Sequence, residues 1–169
     1  MTKRHIDAIR GQRVRLRLLA EQDLPMTLAW RNKDHIRRWF INSAPIMPEQ
    51  HYRWFVQYCE RDDDFVFIVE ESEELWKPIG QVALYNIDWE RKRAEFGRML
   101  IGEPEAAGKG LAREATRLLL DYAFSQLDME EVEANIMRAN VRSLAVCLSC
   151  GFFEVEESDG VKRLVRTAR

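Results

Sequence analysis

The chain has only three cysteines, Cys59, Cys147 and Cys150, among 169 residues. An odd count without a secretory context argues against a disulfide framework. Cys147 and Cys150 form one C-x-x-C, but His5, His35 and His51 all lie far upstream, so no zinc-ligand set is expected. The pair is left as either a redox couple or two small residues buried in a helix. No apolar run approaches the ~20 residues of a membrane span, and MTKRHIDAIRGQR has no apolar signal core. A cytoplasmic location, without membrane partners, is the resulting expectation. The formal net charge is −2, which supplies no basic field for nucleic acid. No G-x-x-x-x-G-K-[ST] occurs and the three-glycine dinucleotide fingerprint is missing, which argues against P-loop and nicotinamide chemistry. Internal repeats, low-complexity tracts and linkers are lacking too.

What is present suffices for one well-buried core, with 46% of the residues hydrophobic. Residues 1–12 are polar and are expected to be mobile, and residues 13–169 to form a single domain. Val14, Leu16 and Leu18 alternate with arginines as a half-buried strand does. Asp23 and Pro25 suit a helix start, Asp34 a cap for a second short helix, and Pro48 the entry to a third. Phe65, Phe67 and Val69 alternate in a second strand, Pro78 to Asp88 form a third, and a fourth follows the charged turn Glu90 to Arg93. Short loops favour antiparallel neighbours here. Val132 to Ile136 reads as a fifth strand and Arg142 to Cys150 as a helix stopped at Gly151. Phe152 to Glu156 and Val161 to Val165 flank an Asp-Gly hairpin turn.

Between the fourth strand and the fifth runs the most informative stretch, Glu95 to Phe124. Leu111, Ala115, Leu118, Leu119 and Tyr122 recur at helical spacing, with Arg113, Glu114, Arg117 and Asp121 opposite. Gly108 and Gly110 precede the first turn, where unpartnered amides and the helix dipole favour an anion. On its own this is more often a turn that merely starts a helix. The run Pro104 to Ala112 resembles the acetyl-CoA pyrophosphate loop of the GNAT N-acetyltransferases. Asn140, Ser143, Gly151 and Phe152 fall where that family carries its N-x-x-S and G-F segment. The resemblance covers roughly residues 13 to 167. It implies an α+β, mixed α/β fold: a twisted, mostly antiparallel sheet of about six or seven strands flanked by helices, with a splay between strands 4 and 5.

The resemblance also implies acetyl-CoA as co-substrate, no metal, and direct acetyl transfer to a primary amine. The backbone of Phe96 to Ile101, including Met99, Leu100 and Ile101, would carry the thioester arm, with Gly97 a candidate for a local bulge. The amides of Ala107, Gly108, Lys109, Gly110, Leu111 and Ala112 would seat the pyrophosphate. Asn140 would contact the pantetheine arm or simply cap a helix, and Ser143 shares that ambiguity. Two departures stand out. Ala106 occupies a position usually held by Gln or Arg, and Cys147 one that often holds a tyrosine acid. Cys147 is therefore a candidate proton donor to the CoA thiolate, although thiols donate weakly. Glu95 is the candidate base, its alternative being a surface glutamate paired with Arg91 or Arg93.

For the acceptor, the aromatic-rich segment Trp30 to Tyr58 offers Trp30, Arg31 and Trp39, with Tyr85 from the third strand, although ordinary packing accounts for most such rings. W-R-N and W-F runs at Trp30 and Trp39 look like the branch acting on nucleotide-linked 4-amino sugars, and Arg31, Arg37 and Arg38 could meet a diphosphate. Arg93 to Phe96 with Gly108 to Ala112 looks instead like the spermidine and ribosomal-protein N-terminal branches. A small amine or a protein N-terminus are thus both expected partners of a monomer or homodimer. A non-catalytic acyl-CoA sensor and a generic interaction domain remain as readings of another class.

Overall fold

The computed structural model describes residues 2–169. Eight strands form one sheet in the order β1-β2-β3-β4-β5-β6-β8-β7. They are β1 (Ile9–Arg10), β2 (Val14–Leu18), β3 (Asp64–Glu71), β4 (Lys77–Asp88), β5 (Arg93–Ile101), β6 (Glu131–Met137), β7 (Phe153–Ser158) and β8 (Val161–Thr167). The helices are α1 (Leu24–Arg31), α2 (Asp34–Arg37), α3 (Pro48–Glu60), α4 (Leu111–Ser125) and α5 (Val141–Ser149). All pairings are antiparallel except β5 with β6.

Helices cover both faces of the sheet, so β3 is buried on both sides. Phe65, Phe67 and Val69 pack with Leu111, Ala115, Leu119 and Leu120 of α4. Val66 and Ile68, pointing the other way, pack with Leu24, Phe55 and Tyr58 of α1 and α3. A third, small cluster joins Trp30, Ile36 and Leu100. At the β7–β8 turn Asp159 and Gly160 have φ of 52° and 76°, the backbone a two-residue hairpin of matching twist requires.

Three expectations are corrected. Residues 2–12 are not a tail beside the domain: β1 pairs with β2, and Ile6 is 4% exposed within the main core. The Lys3 ammonium donates to the carbonyls of Tyr58, Arg61 and Asp64 at the end of α3 and lies 3.6 Å from the Tyr58 ring centre. Arg4 forks onto Asp62 and stacks 3.6 Å over Trp89. This segment supplies the eighth strand. Asp23 stands at the N-cap of α1 with Pro25 in its first turn, but its side chain makes no cap hydrogen bond; the buried carboxylate accepts instead from Arg17 and from the Ala20 amide. Nor does Asp34 cap α2, whose N-cap is Lys33; Asp34 pairs with Arg37 one turn on.

Strands β5 and β6, the fourth and fifth of the sequence reading, pair only over Arg93–Glu95 with Glu131–Glu133. Both continue beyond that point, to Ile101 and Met137, so the sheet opens into a wedge. Across β4, Ala83 faces Gly97 and Gln81 faces Leu100. Two residues, Arg98 and Met99, therefore oppose Val82 alone. The bulge residue is Arg98, at φ 50°, and not Gly97.

Candidate active site

The wedge is lined by Phe40, Phe96, Gly97, Arg98, Met99, Ala134, Asn135, Ile136, Asn140, Ser143 and Cys147. Its walls are two strands that have stopped hydrogen-bonding to each other, so an extended chain entering between them meets strand backbone on both sides. Parallel pairing ends at Glu95, which stands at the closed end of the wedge, where the two strands part. Tyr85 Oη donates to Glu95 Oε1 at 3.0 Å, Asn86 Nδ2 to Oε2 at 2.9 Å, and Asn135 Nδ2 to Oε1 at 3.2 Å. Three neutral donors hold the carboxylate. The pairing with Arg91 or Arg93 does not form: Arg91 bonds Asp88, and Arg93 faces Glu131. Burial, and then the Glu95 charge, raise the Tyr85 phenol well above its ordinary range, so Tyr85 acts here as a donor only.

Behind the wedge, Ile101 leads through a single 3-10 turn, Pro104–Ala106, to α4. Ala106 is 1% exposed and belongs to the main core, which leaves no room for a longer side chain. Gly108 and Gly110 take φ of 74° and 76°, a region costly for any residue with a Cβ. Gly110 is the N-cap of α4, and no side chain caps that helix start. Arg13 donates to the Lys109 carbonyl and bonds Glu114, while Lys109 pairs with Glu74 at 3.3 Å. The Lys109 carbonyl is thereby occupied, and the first-turn amides remain uncapped by side chains, a geometry suited to a phosphate.

Asn140 accepts from the Ser143 amide at 3.4 Å and so caps α5, and both residues also line the wedge. Cys147 lies on its floor, fully buried. Burial pushes the Cys147 thiol up to about 12, a poor match for protonating a CoA thiolate. Cys150 is buried too, and Cys59 is exposed. Leu100 turns from the wedge into the cluster with Trp30 and Ile36.

The residues assigned to the acceptor divide. Trp30 is a core residue, 2% exposed, whose indole donates to Glu103. Trp39 does not line the wedge, and its neighbour Phe40 does. Arg31 stacks 3.7 Å from the Phe40 ring centre and donates to the Asn42 carbonyl. Its second terminal nitrogen, Nη1, is buried and has no hydrogen-bond partner among the described residues. Tyr85 serves Glu95. Sequence reasoning missed Asn135 and Arg98, which sit on strands where no motif marks them. Above this side of the sheet His51, Trp54 and Tyr58 stack along α3. His51, whose ring burial lowers its pKa, bonds the Thr27 hydroxyl at 3.1 Å.

Among the described residues no cluster of three or more His, Cys, Asp and Glu could hold a metal ion, and no helix is long and apolar enough to cross a membrane.

Comparison with known proteins bears on this geometry directly. Spermidine N(1)-acetyltransferase of Escherichia coli is 30% identical over 146 residues, covering 82% of this chain and 72% of the relative. A protein of Methanocaldococcus jannaschii is 28% identical over 138 residues, 81% of this chain, which spans only 27% of that protein's length. The crystal structure of spermidine N-acetyltransferase from Vibrio cholerae in complex with CoA and spermine superposes with a TM-score of 0.83 at 24% identity, covering 94% of this chain and 97% of the other, a likeness of fold. Residues 13–153 match the family described as the acetyltransferase (GNAT) domain, and the chain belongs to that family of acetyltransferases.

Proposed function

We propose that this chain transfers the acetyl group of acetyl-CoA directly to a primary amine at the closed end of the β5–β6 wedge, where the two strands part. One observation carries the reading. At that point the Glu95 carboxylate is held by three neutral donors, beside a gap in which strand backbone is left without a strand partner. Glu95 would accept the amine proton, directly or through water, as the nitrogen bonds to the thioester carbonyl carbon and the carbon–sulfur bond breaks. The departing sulfur would then take a proton from solvent, because Cys147 holds its own too tightly. The amides of Ala107 to Ala112 would hold the pyrophosphate, and Asn140 and Ser143 the arm.

For the acceptor we favour an amine carried on an anionic small molecule, of the nucleotide-linked amino-sugar class. The support is Arg31, whose Nη1 has no partner among the described residues and lies next to a ring that lines the wedge, with Arg38 following over the Trp39 ring. Burial, then the neighbouring Arg37 charge, lowers the Arg31 pKa, the condition of a cation that lacks a counter-ion. A polyamine is the second reading, favoured by the activity of the Escherichia coli relative. Against it, Asp34 is the sole carboxylate between Trp30 and Pro48, and Arg37 occupies it.

The test is release of free thiol from acetyl-CoA in the presence of nucleotide-linked amino sugars, spermidine, and N-terminal peptides. Turnover with the first alone is expected. Turnover with spermidine alone would transfer the assignment to polyamines. Calorimetric binding of acetyl-CoA with no thiol release from any amine would favour the non-catalytic sensor.

A further inference from the structure

Arg98 is the one residue of the wedge wall with an unfavourable backbone, and three separate contacts hold it there. Its φ of 50° lies where a Cβ crowds the following carbonyl. No glycine relieves this position, so something else must stabilise it. The guanidinium crosses β4 to reach Asp64 on β3, with Nη1 to Oδ1 at 2.7 Å and Nη2 to Oδ2 at 3.3 Å. On the way it lies 4.1 Å from the Tyr85 ring centre. Its own carbonyl accepts from Gln81 Nε2 at 3.0 Å, which turns that oxygen toward β4.

The Asp64 side chain is 2% exposed. A buried ion pair is a poor source of stability, because desolvating both charges consumes most of the attraction, and such pairs are better understood as fixing a geometry. Here the geometry is the bulge. Asp64 is itself immobilised at its main chain, since the Lys3 ammonium donates to its carbonyl. Asp64 is thus bonded at its main chain as well as at its carboxylate.

We propose that Arg98 is a positioning residue, latched to Asp64 and Gln81 so that β5 stays bulged before any cofactor arrives and the wedge is preformed for the thioester arm. This rests on the reading that the wedge receives acetyl-CoA. Without the latch β5 would relax toward regular pairing with β4, and binding would have to restore the bulge at the expense of affinity.

The variants are Asp64→Asn, Gln81→Met, Arg98→Ala and Arg98→Gly, studied in the full chain. Calorimetry with acetyl-CoA and amide hydrogen exchange without it supply two independent readouts. Asp64→Asn and Arg98→Ala should weaken acetyl-CoA binding by about 10-fold and Gln81→Met by about 3-fold, each raising exchange at Met99 and Leu100 in the free protein. Arg98→Gly, which removes the same side chain but tolerates the left-handed backbone, should recover several-fold of the affinity lost in Arg98→Ala. A purely structural charge pair would give no such recovery. Equal affinities and unchanged exchange in all four would overturn the latch, as would Arg98→Gly binding no better than Arg98→Ala. Should a variant fail to fold, Gln81→Met, which touches no charge, decides the matter through exchange at Met99. If the wild-type protein binds no acetyl-CoA, it is the reading of the wedge that fails, and the proposal with it.

Discussion

Tyr85 and Glu95 face each other across β4 and β5, and the phenol donates to the carboxylate at 3.0 Å. With Asn135 also on Oε1 and Asn86 on Oε2, the carboxylate is fixed in direction without a cation to neutralise it, and one lone pair on Oε2 is left to accept a proton. A carboxylate held this way has a fixed position beside the point where β5 and β6 part. Glu95→Gln should lower kcat by about 10²- to 10³-fold, the usual range for losing a general base, with acetyl-CoA affinity little changed. Tyr85→Phe removes one neutral hydrogen bond and should cost about 10-fold. Steady-state rates for each variant, with calorimetry for acetyl-CoA, check both. A Glu95→Gln enzyme of undiminished kcat would remove Glu95 from the chemistry.

Cys147 gives a prediction with a defined sign. Its thiol is pushed up to about 12 in the fold against an ordinary value of 9.0, chiefly by burial. A group whose pKa is raised by folding contributes stability that is fully present below the unfolded value and is lost as pH rises through the folded one. Between about pH 9 and 12 the unfolded chain ionises this thiol while the folded chain does not. Urea midpoints of the wild type should therefore fall through that window more steeply than those of Cys147→Ala. The same substitution should leave kcat within about 2-fold, because a thiol so reluctant to ionise is a poor acid for sulfur. Rates and urea melts at pH 8, 9.5 and 10.5 separate the two effects.

By sequence the N-terminal segment reads as polar and mobile, because only scattered apolar residues interrupt its charges. Its packing makes the opposite forecast. Ile6 lies in the main core and Lys3 closes the end of α3. Ile6→Ala should cost about 2–4 kcal/mol, as truncating a buried aliphatic side chain generally does. Urea unfolding measures it, and a loss under about 0.5 kcal/mol, the range of surface substitutions, would return the segment to the surface.

These cases indicate what a sequence of this kind discloses. The helix α4, the paired glycines before it and the Asp-Gly hairpin were legible because each is a local pattern with one mechanical cause. The position of the wedge followed from the family resemblance, and its walls from strand order. Contacts between distant residues left no trace. Arg98 and Asp64 are 34 residues apart, and nothing near either marks it as half of a pair. Lys3 reads as one more charge until Tyr58, Arg61 and Asp64 converge on it. Trp30 misled for a related reason, since an indole beside an arginine looks like a ligand platform unless Gly102, against which it packs, is known to lie beneath it.

Gly97 links the base, the bulge and the wedge, and its substitution tests their mutual fit. It was expected to form the bulge by its flexibility, yet no positive φ is found there. Glycine is required instead for space: a Cβ at this position would stand 2.6 Å from Tyr85 Oη and 3.2 Å from the ring edge. Tyr85 cannot yield easily, because Arg98 lies on its face and the ring packs against the cluster of α1, α3 and β3. Gly97→Ala should therefore push the phenol from Glu95 and lower kcat at least as far as Tyr85→Phe does. In a Tyr85→Phe background the hydroxyl is gone, and the methyl group has only the ring edge to meet. The second substitution should then cost much less than it does alone, a coupling that a double-mutant cycle in kcat reads directly. Additive effects would mean that Gly97 serves the wedge by some route other than Tyr85.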